Sequence, residues 1–190
     1  MLTTSFGYKG AFTAPHRIAA LAGQKVLAEG GTAIEAMVSA AATIAVVYPH
    51  MNGMGGDGFW LIRKKGERPA GISACGRAAM RATPQWYHDR NCSVIPPRGA
   101  LAAATVPGTI AGWARALDLV PEGRRLPLSR LLAPAIDYAA EGIAVSQNQA
   151  VTTAAKVDDL KDVDGFADIY LPGGALPAAG SRLRQEALAS

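Results

Sequence analysis

The segment Ala33–Val47, AIEAMVSAAATIAVV, constrains this chain more than any other. Ala, Ile, Met and Val recur on nearly every side of the helix it would form. A helix that is apolar all round is a buried helix, so other elements have to cover it from several directions. Its start is written locally: Thr32 stands at the N-cap with Glu35 three residues on, the capping-box pattern. Glu35, Ser39 and Thr43 interrupt the run, and it is too short to span a bilayer, so no membrane role is expected for it.

The flanking sequence supplies candidate cover. Gly10–Ala14 (GAFTA) predicts a short buried strand. Pro15 opens a helix to about Glu29, with Ile18, Leu21, Ala22, Val26 and Leu27 on one face and Gly30-Gly31 as its stop. Phe59–Ile62 predicts a strand, Arg63–Arg68 a turn, and Ala70–Cys75 the returning strand of a hairpin. Thr83-Pro84 starts a short helix. Leu101–Val106 predicts a strand, and helices follow over Thr109–Leu119, Pro127–Ala140 and Val145–Leu160. The end, Leu183–Ala189, is helical in pattern. The class is α+β, helix-rich, with few strands for 190 residues. The sheet looks incomplete, which points to a further segment.

The formal net charge is +4, but the cations are scattered, and the one dense run, Arg63-Lys64-Lys65, falls at the hairpin turn. No basic stripe interleaved with aromatics is present, so a nucleic-acid partner is not expected. Cys75 and Cys92 make neither a disulfide framework nor a metal motif, and no cofactor is implied. The opening MLTTSFGYKG lacks a charged region followed by an apolar stretch. No signal peptide is therefore expected, and a soluble, cytoplasmic protein is.

Pro49–Gly58 (PHMNGMGGDG) is a glycine-rich loop. Gly53, Gly55, Gly56 and Gly58 would permit positive φ and close approach to another chain or a ligand. A phosphate cradle is one use of such a loop, but this one leads into a strand and lacks the following Gly-Lys-Ser/Thr. Asp57 inside it reads either as a turn former bonding its own backbone or as a substrate-orienting carboxylate. His50 reads as a hydrogen-bonded structural residue, and His16 and His88 make no metal pattern. Arg77, at the end of the second hairpin strand, is either a surface residue or a fork for a carboxylate.

Several ordered motifs together resemble the gamma-glutamyltranspeptidase family. They are Ala14-Pro15-His16, Glu29-Gly30-Gly31-Thr32-Ala33-Ile34-Glu35-Ala36, and Tyr48–Phe59 with its glycine loop. Thr105-Val106-Pro107-Gly108-Thr109, Gly112-Trp113, Leu126-Pro127-Leu128, Ala133–Ile136 and Ala140-Glu141-Gly142 continue in family order. The resemblance implies an amino-terminal-nucleophile hydrolase with a four-layer αββα sandwich, of which this chain would be the amino-terminal part of the large subunit. A precursor cleaves itself, and the new amino-terminal Thr of the small subunit is nucleophile and, through its amine, general base. That Thr would lie beyond Ser190. No catalytic residue is expected here, and the chain alone should be inactive without the small-subunit partner.

The resemblance also marks a departure. Glutamyl-transferring members carry an Asp-x-Arg pattern whose Arg grips the substrate α-carboxylate. The corresponding stretch here is Ser73-Ala74-Cys75-Gly76-Arg77, with Cys75 at the Arg position. A thiol cannot make that bidentate contact. Relatives without the Arg include oxamate-type amidohydrolases, and Tyr48-Pro49-His50-Met51 is similar to that branch. The candidate substrate-binding residues are Cys75, Arg77, Asp57 and Gly56, and the expected substrate is a small or non-glutamyl acyl amide. A gamma-glutamyl enzyme for glutathione-like substrates, a non-catalytic subunit for assembly and a nucleotide binder are the competing readings.

Overall fold

The computed structural model describes residue 4, residues 6–102 and residues 105–190. Helix α1 (Arg17–Ala28) packs against α2 (Ala33–Val47), and α2 packs in turn against α5 (Leu128–Glu141). Strands β1 (Gly58–Ile62) and β2 (Ala70–Ala74) form an antiparallel hairpin that rests on α4 (Thr109–Leu117). A short α3 (Pro84–His88) follows the hairpin. After α5 come β3 (Ile143–Ala144), α6 (Gln147–Leu160), α7 (Phe166–Tyr170), β4 (Arg182–Leu183) and α8 (Glu186–Ala189). β3 pairs antiparallel with β4. The α+β class holds: helices carry the core, and the strands make two two-stranded sheets among the described residues.

α2 is the central element, as its composition requires. Ala36, Val38, Ala42, Val46 and Val47 are buried and join Val26 of α1, Trp113 of α4, and Leu131 and Ala139 of α5 in one cluster. Each fully buried Val or Leu contributes about 1.5–3 kcal/mol relative to exposure. The predicted capping box forms: the Glu35 amide donates to Thr32 Oγ1 at 3.3 Å, and the Thr32 amide donates to Glu35 Oε2 at 2.7 Å. Glu35 reaches further than a cap, because its Oε1 accepts the Leu126 amide at 2.6 Å. One carboxylate thus ties the start of α2 to the approach to α5. Ser39 and Thr43 are also buried in the helix, and the Thr43 hydroxyl donates to the Ser39 carbonyl at 2.7 Å.

Cover is incomplete on one side. Met37 is 45 % exposed, and on the outer face of β1 Phe59 and Leu61 are 71 % and 82 % exposed. The period-2 alternation of the strand puts Trp60 inward toward α4, where Gly112 lets its indole approach.

Several boundaries differ from expectation. Gly10–Ala14 forms no strand and pairs with none among the described residues. Its apolar signal belongs to Phe12, whose ring lies where a Cβ on Gly23 would sit within 2.5 Å. α4 ends at Leu117 rather than Leu119. α6 begins two residues later than predicted, because Val145 exchanges backbone hydrogen bonds with Gly180 and Ser181 and Ser146 then caps the helix. Leu183 is a strand residue paired with Ile143, so only Glu186–Ala189 is helical at the end. The strand expected over Leu101–Val106 lies partly outside the described residues: Leu101 and Ala102 form a turn, and Thr105 makes a single antiparallel bridge with Ala78. Among the described residues no helix is long and apolar enough to cross a membrane.

Candidate functional site

The open end of the β1–β2 hairpin gathers three sequence-distant segments. Gly58 pairs with Ala74 in the last rung of the ladder, so Asp57 and Cys75 face each other just beyond it. Asp57 Oδ1 accepts the amide of Gly76 at 3.0 Å. The Arg77 carbonyl accepts the Val106 amide at 2.9 Å. The Gly56 carbonyl accepts the amides of Gly108 and Thr109, each at 2.9 Å, and the Thr109 hydroxyl at 2.7 Å. Residues 56–58, 74–78 and 105–109 are thereby held together at the start of α4.

Two glycines permit this closeness. A Cβ on Gly76 would lie 1.5 Å from the Val106 carbonyl oxygen, and one on Gly108 would lie 2.2 Å from that of Ala74. Both obstacles are backbone and cannot swing aside. The glycine loop behaves differently from expectation. None of Gly53, Gly55, Gly56 and Gly58 has positive φ, and a Cβ on Gly53, Gly55 or Gly56 would meet open space. Their sequence signature does not reflect left-handed backbone in this structure.

Of the four candidate residues, Asp57, Cys75 and Arg77 are exposed and adjacent at the hairpin end, and Gly56 lies beneath them as an acceptor. Asp57 is more than a local turn former, since its bond crosses to Gly76, just past the end of the other strand. Arg77 and Asp57 form no ion pair with each other. Asp57 also borders a cavity of about 450 Å³ between α2 and β1, with Met37, Ile34 and Trp113 on its walls. Cys75, Arg77 and Gly56 lie outside that cavity. The individual residues of 105–109 were not legible as site residues from chemistry alone. Their signal was the Val-Pro-Gly-Thr motif, whose one hydroxyl, on Thr109, is spent on the Gly56 carbonyl.

The loop before the glycines is anchored elsewhere. His50 Nε2 lies 2.6 Å from Asn148 Oδ1, and the His50 ring stacks edge-on against Tyr48 with centroids 4.4 Å apart. This is the structural role expected of it. His16 sits at the N-cap of α1, its Nδ1 accepting the Ile18 amide at 3.3 Å. Burial, and then the neighbouring His50, hold its imidazole below the ordinary value. Among the described residues no group of three or more His, Cys, Asp or Glu side chains is placed to hold a metal.

The fold recurs in solved structures. The gamma-glutamyltranspeptidase of Helicobacter pylori superposes with a TM-score of 0.88 over 98 % of this chain and 54 % of its own, at 30 % identity. The gamma-glutamyltranspeptidase of Pseudomonas nitroreducens does so with a TM-score of 0.83 over 97 % of this chain and 53 % of its own, also at 30 % identity. The fold is therefore that of a gamma-glutamyltranspeptidase-type amino-terminal-nucleophile hydrolase. Residues 19–190 match gamma-glutamyltranspeptidase as a sequence family, and the chain belongs to that family. It is 49 % identical to the oxamate amidohydrolase proenzyme of Klebsiella pneumoniae, over all of this chain and 36 % of that protein. It is 38 % identical to the glutathione hydrolase-like YwrD proenzyme of Bacillus subtilis, over 96 % of this chain and 34 % of that protein. The chain thus spans about a third of the length of these relatives.

Proposed function

We propose that this chain is part of the large subunit of an amidohydrolase acting on small, non-glutamyl acyl amides such as oxamate. The observation that carries the proposal is Cys75, exposed at the hairpin end where glutamyl-transferring members are expected to place their carboxylate-gripping Arg. The identity with an oxamate amidohydrolase proenzyme supports the same substrate class. In this reading Gly56 and Asp57 position the wall: one holds the start of α4, the other holds the turn that presents Cys75 and Arg77. The Arg77 guanidinium, two residues on, supplies a planar fork for the carboxylate of a short substrate.

The nucleophile belongs to a small subunit outside this chain. Its amino-terminal Thr hydroxyl attacks the amide carbonyl while its amine takes the hydroxyl proton and passes it to the departing nitrogen as the C–N bond breaks; water then attacks the resulting ester and releases the acyl group as its acid. The proenzyme names of relatives about three times longer support that division. This chain alone is expected to turn over no amide. In the full-length enzyme, kcat/KM for oxamate should exceed that for a gamma-glutamyl anilide, and equal values would overturn the assignment. Cys75→Arg should raise kcat/KM for the anilide by on the order of tenfold, since a hydrogen bond to a charged group is worth about 1.5–3 kcal/mol. A gamma-glutamyl substrate is the second reading, favoured by the identity with a glutathione hydrolase-like relative. Rapid turnover of glutathione would support it.

A further inference from the structure

We propose that the chain carries a second ligand pocket, suited to a small planar carboxylate, between α6, α7 and the segments bearing His50 and Arg98. A cavity of about 280 Å³ lies there. That is just under the usual size of small-molecule sites, about 300–1,000 Å³, so only a compact ligand fits. The pocket shares no residue with the hairpin-end cluster.

Its walls have opposite character. Arg98, Lys156 and Thr152 are among its lining residues. The two cations share one carboxylate: Asp159 Oδ2 is 2.8 Å from Arg98 Nη1 and 3.9 Å from Lys156 Nζ. Asp159 does not line the cavity, and no acidic side chain does among the described residues. One carboxylate cannot neutralise two cations, so the wall keeps a positive charge with guanidinium and ammonium donors to spare. Phe166 and Tyr170 line the cavity as well, their rings stacked 5.2 Å apart at 25°. The Tyr170 hydroxyl donates to the Pro49 carbonyl at 2.9 Å, and burial raises its pKa, so it adds no negative charge. A cationic end and an aromatic end in one small space suit a ligand with a carboxylate on a flat body.

Isothermal titration of the chain with benzoate, benzamide and inorganic phosphate tests this. Benzoate should bind saturably, and benzamide should bind at least about tenfold more weakly, as loss of a charge-assisted contact requires. Lys156→Met should weaken benzoate by a similar factor with an unchanged melting temperature, and Phe166→Leu should weaken it too. Cys75→Ala should leave it unaltered. Equal binding of benzoate and benzamide, or full affinity in Lys156→Met, would overturn the pocket. Phosphate binding as tightly as benzoate would overturn the planar character of the ligand, and loss of binding in Cys75→Ala would move the ligand to the hairpin end.

Discussion

Replacing Glu35 tests how the buried helix is held. The side chain is fully buried, and its two oxygens accept the Thr32 amide and hydroxyl, each at 2.7 Å, and the Leu126 amide at 2.6 Å. Burial is the largest single influence on its pKa and acts to raise it. The hydrogen bonds from Thr32 and Leu126, with the Arg125 charge, outweigh burial and leave the pKa below the ordinary 4.5. Glu35→Ala removes every acceptor and strands two backbone donors in a poorly hydrated place. Loss of the cap costs about 0.5–2 kcal/mol. The stranded Leu126 amide adds about 1–3 kcal/mol. A total of about 3 kcal/mol should lower Tm by roughly 6–12 °C for a chain of this size. Glu35→Gln should fall between, because the amide keeps one acceptor but turns a donor toward one of its partners. The pH dependence has a definite sign. A depressed folded pKa means the contribution is complete above the unfolded value and is lost as pH falls through the folded one. Wild type and Glu35→Gln should therefore differ most near neutral pH and converge in acid. Thermal melts from pH 7 to pH 3 measure this, and a Glu35→Ala loss under about 1 kcal/mol would refute the reasoning.

Other expectations concern the hairpin end and the surface. Gly76→Ala should destabilise by at least about 1–3 kcal/mol, as overpacking against rigid backbone does, read as a lower urea midpoint. Asp57→Ala should cost about 0.5–1.5 kcal/mol through the Gly76 hydrogen bond, and Asp57→Asn less, since its amide oxygen still accepts; the same urea series separates them. Glu29 has its pKa lowered chiefly by the hydrogen bond from Arg130, with burial opposing and the Arg130 and Lys25 charges assisting. Arg130→Met should therefore move the Glu29 titration upward in carboxyl-detected NMR, with no change in its partner helix. Cys75→Ala should leave the melting temperature unaltered, because the residue is exposed in the folded chain.

Local chemistry determined much of this protein. The capping box of Thr32 and Glu35, the stop at Gly30 and the hairpin expected over 59–62 and 70–75 are set by neighbours within a few residues; the first two appear as written, and the hairpin strands span Gly58–Ile62 and Ala70–Ala74. The apolar character of Ala33–Val47 likewise required a helix covered on several sides, and α1, α4 and α5 supply that cover. Pairings over long separations were not legible. Ile143 with Leu183, the Leu126 amide with Glu35, and the Gly56 carbonyl with Thr109 depend on where the chain returns, which no local periodicity encodes. The same is true of the candidate site. Asp57, Cys75 and Arg77 could be named from their chemistry and their family position. The hairpin itself brings them to one end; that residues 105–109 close on that end, over Gly76 and Gly108 that allow backbone approach without positive φ, was decided only when the distant segment packed against it. Side-chain identity sets what a group can bond to, and tertiary packing sets which partner comes within reach.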